Sequence, residues 1–154
     1  MQRQHLWGFR ARRKDNGQLI VGNLQVSQGG FYEIRQFKQL EDRDIVERHP
    51  VEMETIGMST GEVCHKTHNV IFEFDLIDIT AYSVLRDLVI VDGPSLIYWS
   101  TMHRSFVIAY RTDESSTEIM TLPDLLKLEI RQFRLVGNKF ENESTFQYIQ
   151  KGLL

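Results

Sequence analysis

The sequence predicts a mainly β protein, α+β at most: an antiparallel N-terminal meander of hairpins, a small barrel-like β core, and one or two short helices. Three observations point that way. Apolar side chains recur at period two in most segments, the spacing that puts alternate residues on opposite faces of a strand. Turn-forming groups, Asn16-Gly17, Gln28-Gly29-Gly30 and Asp92-Gly93-Pro94, punctuate those segments at short intervals. Helix-start signals are confined to the last third of the chain.

Residues 7–13 alternate apolar or small side chains with polar ones, which reads as a strand with one buried face. Asp15-Asn16-Gly17-Gln18 follows. Asn and Gly both tolerate positive φ, which a type I′ turn requires at its two central positions, so a tight hairpin is expected. Residues 19–26 form the returning strand. Gln28-Gly29-Gly30 marks a second turn and residues 31–37 a third strand, completing the meander. Residues 38–50 are highly charged and read as an exposed connection with at most a short helical turn.

Residues 51–56 alternate again, as a short strand. Residues 59–69 are polar and contain Gly61, the pattern of a loop. Residues 70–72 and 76–79 are strand material on either side of Glu73-Phe74-Asp75. Residues 88–91 and 96–99 flank Asp92-Gly93-Pro94 as another hairpin, and residues 106–110 are a further strand. Residues 113–117 form a surface loop. A short helix is expected to start near Thr121, with Pro123 and Asp124 in its first turn. Residues 128–136 form a strand with a change of register, and residues 143–149 a terminal helical segment.

A chain of 154 residues with 42% hydrophobic content folds without disulfide or metal staples. It suits one domain, 1–154, or two lobes sharing a core: a meander over 1–58 and the barrel-like part over 59–154. The single cysteine, Cys64, excludes an internal disulfide. With no signal-like apolar segment at its start, the chain is expected in a reducing cytoplasm. No apolar run is long enough to span a bilayer, so no membrane role is expected. Net charge of −3 gives no bulk attraction to nucleic acid. Locally, Arg10, Arg12, Arg13 and Lys14 make a basic cluster, while acidic residues gather at Glu41, Asp42, Asp44 and Glu47, and at Asp113 and Glu114.

On a strand, Arg10, Arg12 and Lys14 share one face, a row of cations suited to phosphates. Trp7 and Phe9 lie on the other face and cannot form a stacking platform with that row. The structural alternative is a solvated hairpin face whose charges discourage edge pairing. Cys64-His65-x-x-His68 places metal-capable side chains at short spacing, but a tetrahedral zinc site needs a fourth ligand. His49 and His103 stand alone. Adjacent residues on extended chain point to opposite faces, so His65 is poorly placed to activate the Cys64 thiol. Gln28-Gly29-Gly30 lacks the helix and lysine of a phosphate loop, and Gly-x-Ser-x-Gly is absent. No cofactor, metal or catalytic residue is therefore expected, and Trp7, Tyr98, Trp99 and Phe106 read as core or interface residues.

Three segments, in order, resemble the YopX family of phage and prophage proteins. Phe9-Arg10-Ala11-Arg12-Arg13-Lys14-Asp15-Asn16-Gly17 with Val21-Gly22-Asn23-Leu24 is similar to the family's opening strand, Lys-Asp-Asn-Gly turn and returning strand. Glu54-Thr55-Ile56-Gly57, Thr60-Gly61 and Ile71-Phe72-Glu73-Phe74-Asp75-Leu76-Ile77 resemble its middle pattern, with Phe74 where the family has Gly. Gly would permit a backbone conformation there that Phe disfavours. Residues 62–69 also lack the family's Asn-Gly, and residues 80–118 match no motif. Val136-Gly137-Asn138-Lys139-Phe140-Glu141-Asn142 is similar to the closing motif.

The resemblance implies a phage origin, an oligomer-forming mostly β fold and an unassigned biochemical role with no catalytic residues; with that origin, the expected compartment is the host cell cytoplasm. The expected function is non-enzymatic: self-assembly, or binding of a host or phage protein, counter-defence being one form of it. The alternative is a nucleic-acid-binding accessory protein using the basic N-terminal hairpin.

Overall fold

The computed structural model describes residues 8–64, 67–113 and 115–150. The chain forms two compact units, one ending at Gly61 and one beginning at Glu62.

The first unit is an antiparallel sheet. Its strands β1 (Phe9–Arg12), β2 (Leu19–Val26), β3 (Tyr32–Gln39), β4 (Asp44–Pro50) and β5 (Gly57–Val63) lie in the order β4-β3-β2-β1-β5, and β5 carries the chain out of the unit. Period-two alternation sends Ala11 and Ile34 to one face, where they are buried with Val51 against Phe9, Ile20, Leu24, Tyr32 and Ile56. The expected three-stranded meander is present in full. Trp7 lies outside the described residues.

The first turn is not type I′. Gly17 takes positive φ (71°) but Asn16 does not, and the Gly17 N–H reaches back to the Arg13 carbonyl (3.0 Å), closing a four-residue loop. Asn16 works through its side chain instead, accepting the Gln18 N–H at 3.0 Å. Residues 38–50 are not a connection: β3 runs on to Gln39 and β4 pairs with it from Asp44 to Pro50 across a tight Leu40–Arg43 turn. Charge hid a strand there, because on this strand Arg48 points to the wet face while Glu47, on the other, stays partly exposed and pairs with Lys38. Met53–Thr55 is a turn of 3-10 helix rather than strand, fixed by Thr55, whose hydroxyl donates to the Glu52 carbonyl (2.7 Å) and accepts the Arg12 N–H (2.8 Å). The expected loop over 59–69 begins only after Val63. Small Gly57 and Ser59 face inward in β5, so the strand has no apolar signature.

The second unit is an open antiparallel sheet in the order β10-β9-β8-β7-β11. The strands are β7 (Asp75–Ser83), β8 (Leu88–Ser100), β9 (Ser105–Arg111), β10 (Thr117–Thr121) and β11 (Glu129–Asn138), preceded by the short β6 (Val70–Phe72). The sheet does not close into a barrel. Its edge strands β10 and β11 are joined by helix α1 (Leu122–Leu125), whose Leu122 and Leu125 are buried in the core, so helix rather than strand pairing fills that side. Thr121 caps α1 through the Asp124 N–H. The core on this face includes Ile71, Ile77, Ile79, Val91, Ile97, Ile108 and Cys64. Helix α2 (Glu143–Gln150) covers the other face, with Phe146 and Ile149 on Leu76, Leu96 and Ala109. Fully burying each such aliphatic side chain contributes about 1.5–3 kcal/mol.

Asp92-Gly93-Pro94 is no turn, because β8 runs straight through it. Pairing with β9 begins only at Ser95, whereas β7 pairs from Leu88. Pro94 thus sits where β8 has a partner on one side only, and its missing N–H costs no ladder bond there. The hairpins turn instead after Ser83 and after Ser100. The expected register change appears twice in β11, between Ile130 and Gln132 and between Leu135 and Gly137.

Beyond β11 the chain is clasped by Asn138, which is 5% exposed. Its side-chain oxygen accepts the Phe140 and Glu141 N–H groups (2.9 and 3.1 Å), and its amide donates to Glu141 (2.8 Å). The Asn138 N–H in turn donates to the Asn142 side chain (3.2 Å). Gly137 lets that side chain in: a Cβ there would overlap the Asn142 carbonyl oxygen. We expect Gly137→Ala to destabilise the protein by about 1–3 kcal/mol, as overpacking that also breaks a hydrogen bond does. Chemical denaturation read by circular dichroism checks this.

Candidate functional site

Ile34 points into the core of the first unit, so its strand neighbours Glu33, Arg35, Phe37 and Gln39 point to the opposite, solvent-facing side of β3. Register extends that face across the sheet. Arg35 lies directly opposite Arg48 of β4, with Asn23 of β2 on its other side, and Phe37 lies opposite Val46. Arg10 of β1 pairs with Val21 of β2. The outward face of β3 and β4 therefore carries Arg35 and Arg48 beside the apolar pair Phe37 and Val46, while Arg10 and Arg12 with Val21 lie on the outward face of β1 and β2.

These apolar side chains are wet. Phe37 is 69% exposed, Val46 46% and Val21 44%. A directly opposed arginine pair on neighbouring strands is unfavourable. Glu33 is near Arg35 at 3.9 Å, while Arg48 makes no ion pair among the described residues. The Nε of Arg35 is buried without a hydrogen-bond partner among them. A sheet face that keeps like charges together and a phenyl ring in water is organised for something other than its own stability.

The basic cluster read from the sequence is divided by the structure. Arg10 and Arg12 lie on the outward face of β1, opposite in direction to the buried Ala11. Arg13 is bonded to Asp15 inside the turn, and that bond raises its pKa and lowers that of Asp15. Lys14 is exposed on the loop. Arg35 and Arg48 were missed because strand register alone brings them together. The alternation Arg35-x-Phe37 and Val46-x-Arg48 was the available signal.

Cys64 does not sit on the surface with the histidines. It is fully buried in the core of the second unit, where its Sγ donates to the Phe133 carbonyl at 3.4 Å. His68 is exposed with φ 56°, and His65 lies outside the described residues. Among the described residues no three His, Cys, Asp or Glu side chains are grouped as metal ligands. His103 bonds the Ser100 hydroxyl (2.9 Å) and His49 lies 3.3 Å from Glu47. A thiol so enclosed is inert in the native state. Thiol-specific labelling should proceed slowly on the folded protein and at the rate of a free cysteine in denaturant; fast native labelling would show the loop opening over Cys64.

No helix among the described residues is long and apolar enough to cross a membrane. Comparison with protein-family models, with curated proteins and with solved structures returns no match to this chain.

Proposed function

We propose that this protein acts by binding protein and not by catalysis, and that a second copy of the chain is its first partner. The observation that carries the reading is the exposed pair Phe37 and Val46 set beside the opposed Arg35 and Arg48. Aromatic side chains and arginine are enriched at protein interfaces, and lysine is depleted. A phenyl ring that leaves water on docking contributes more than any exposed ion pair.

Charge supports a second copy as the occupant. Residues 1–61 hold nine basic and eight acidic side chains, residues 62–154 nine and thirteen. The arginine face of one copy thus meets a net-acidic unit on the next. That contact joins unlike surfaces, so it builds a closed ring or a filament rather than a twofold dimer. A phage or prophage origin, work in the host cytoplasm and a host or phage protein as a further partner belong to the same proposal. They rest on the resemblance to the YopX segments.

The second reading is a nucleic-acid accessory protein. The opposed Arg35 and Arg48 favour it, because such a pair can hold a phosphate while Phe37 stacks on a base. Two measurements separate the readings. Light scattering at micromolar concentration should give a mass above the 18.1 kDa of one chain, and Phe37→Ser with Arg48→Glu should return it to one chain. A wild-type monomer overturns self-assembly. Fluorescence anisotropy with a labelled single-stranded oligonucleotide at low salt tests the second reading, which expects affinity that falls steeply with added salt and with Arg48→Glu.

A further inference from the structure

We propose that the second unit carries a binding site for a small aromatic carboxylate, centred on Lys139 and the rings of Phe74 and Trp99. This site is separate from the sheet face of the first unit, and the proposal stands independently of the function assigned to that face.

The site is a depression of about 330 Å³ between β8, the turn before β7, the segment after β11 and helix α2. That volume is at the small end of ligand pockets, enough for one ring and a short side arm. Phe74, Tyr98, Trp99 and Phe146 supply aromatic walls. Aromatic rings prefer offset or edge-on partners, so such walls select a flat apolar body.

Lys139 supplies the polar anchor. Its ammonium lies 3.5 Å from the centroid of the Phe74 ring and 4.9 Å from that of Phe140. Among the described residues no carboxylate stands within ion-pair distance of it. Burial pushes its pKa below the ordinary lysine range, against the opposing pull of Glu73. A half-buried cation whose nearest neighbours are two phenyl rings lacks a full counter-charge, and a ligand carboxylate supplies one in a setting where a charged hydrogen bond is strong. Glu73 also lines the depression, and its carboxylate accepts the Trp99 main-chain N–H at 3.1 Å, which leaves Lys139, among the described residues, as the one cation in the lining.

A second observation lies in the backbone. Phe74 has φ 73°, left-handed and costly for a side chain of its size, on the order of 1–2 kcal/mol. It is held there by its N–H to the Ile97 carbonyl (2.7 Å) and by the Lys139 N–H to its own carbonyl (2.9 Å). Glycine would fit this backbone without strain. Phenylalanine gives the pocket a wall and gives Lys139 its aromatic seat, and it also packs edge-on against Phe140 at 5.7 Å. Strain retained beside a pocket, by residues from two distant segments, is the pattern of a ligand site.

The experiment is a titration followed by ¹H–¹⁵N NMR with three matched probes: 3-phenylpropionate, its neutral amide, and phenethylamine. We expect the carboxylate to shift the Trp99 and Lys139 signals at millimolar concentration. It should bind about tenfold more tightly than the amide, the ratio one charge-assisted hydrogen bond provides. The amine should not bind. Lys139→Met should abolish the preference for acid over amide while leaving the folded spectrum intact, and Trp99→Ala should weaken both probes. Absence of any shift in the wild type overturns the site. Equal binding of acid and amide, or a preference that survives Lys139→Met, overturns the assignment of the ligand class to Lys139.

Discussion

The second unit depends on one buried side chain. Asn138 ends β11, satisfies two N–H groups of the chain that follows, and engages Asn142 at the start of α2. A buried polar network of this kind is costly when incomplete and rigid when complete. Here its closure has two consequences. It directs α2 onto Leu76, Leu96 and Ala109, covering a sheet face that would otherwise expose them. It also delivers Lys139 and Phe140 to Phe74, some 65 residues earlier in the chain, which ties the turn before β7 to the end of β11. The same turn is capped from inside, because the fully buried Asp75 carboxylate accepts the Phe72 N–H at 2.8 Å.

The first unit distributes its residues differently. Among the described residues its core holds three fully buried side chains, Ala11, Ile34 and Val51, with a partly buried surround. Its other face contributes little to folding, since Phe37, Val46 and Val21 remain in water. Opposed Arg35 and Arg48 add an unfavourable term to that face. A surface that burdens its own fold gains from being covered, and both readings of its function, a protein partner or a phosphate backbone, relieve that burden in the same place.

Much of the fold was legible because alternation survives wherever one face is dry. The strands of the meander, β9, the helix with Thr121 as its cap, the irregular β11 and helix α2 all follow from local pattern. The failures share a cause. Residues 44–50 carry too much charge for a buried strand, Gly57 and Ser59 are too small to signal one, and Gly93-Pro94 resembles a turn. Each is strand because of what lies beside it: β3 for the first, β1 for the second, and one-sided pairing with β7 for the third. The candidate surface was half legible for the same reason. Arg10 and Arg12 are two apart in sequence, whereas Arg35 and Arg48 meet only through register.

Phe74 shows how sequence and structure inform one another. From the sequence, Phe at this turn disfavours the backbone conformation that glycine would permit. The backbone is left-handed all the same, so the conformation is set by the surroundings and the side chain is tolerated at a cost. Three neighbours impose it: Ile97 and Lys139 through the main chain, and Phe140 through its ring. The strain would vanish with glycine, but so would the ring on which the Lys139 ammonium rests. Stability alone does not favour that exchange, since an edge-on aromatic contact contributes about 0.5–1.5 kcal/mol beyond its area and the strain is of similar size. With the two terms nearly cancelling, what distinguishes phenylalanine at this position is the surface it presents to the space beside Trp99.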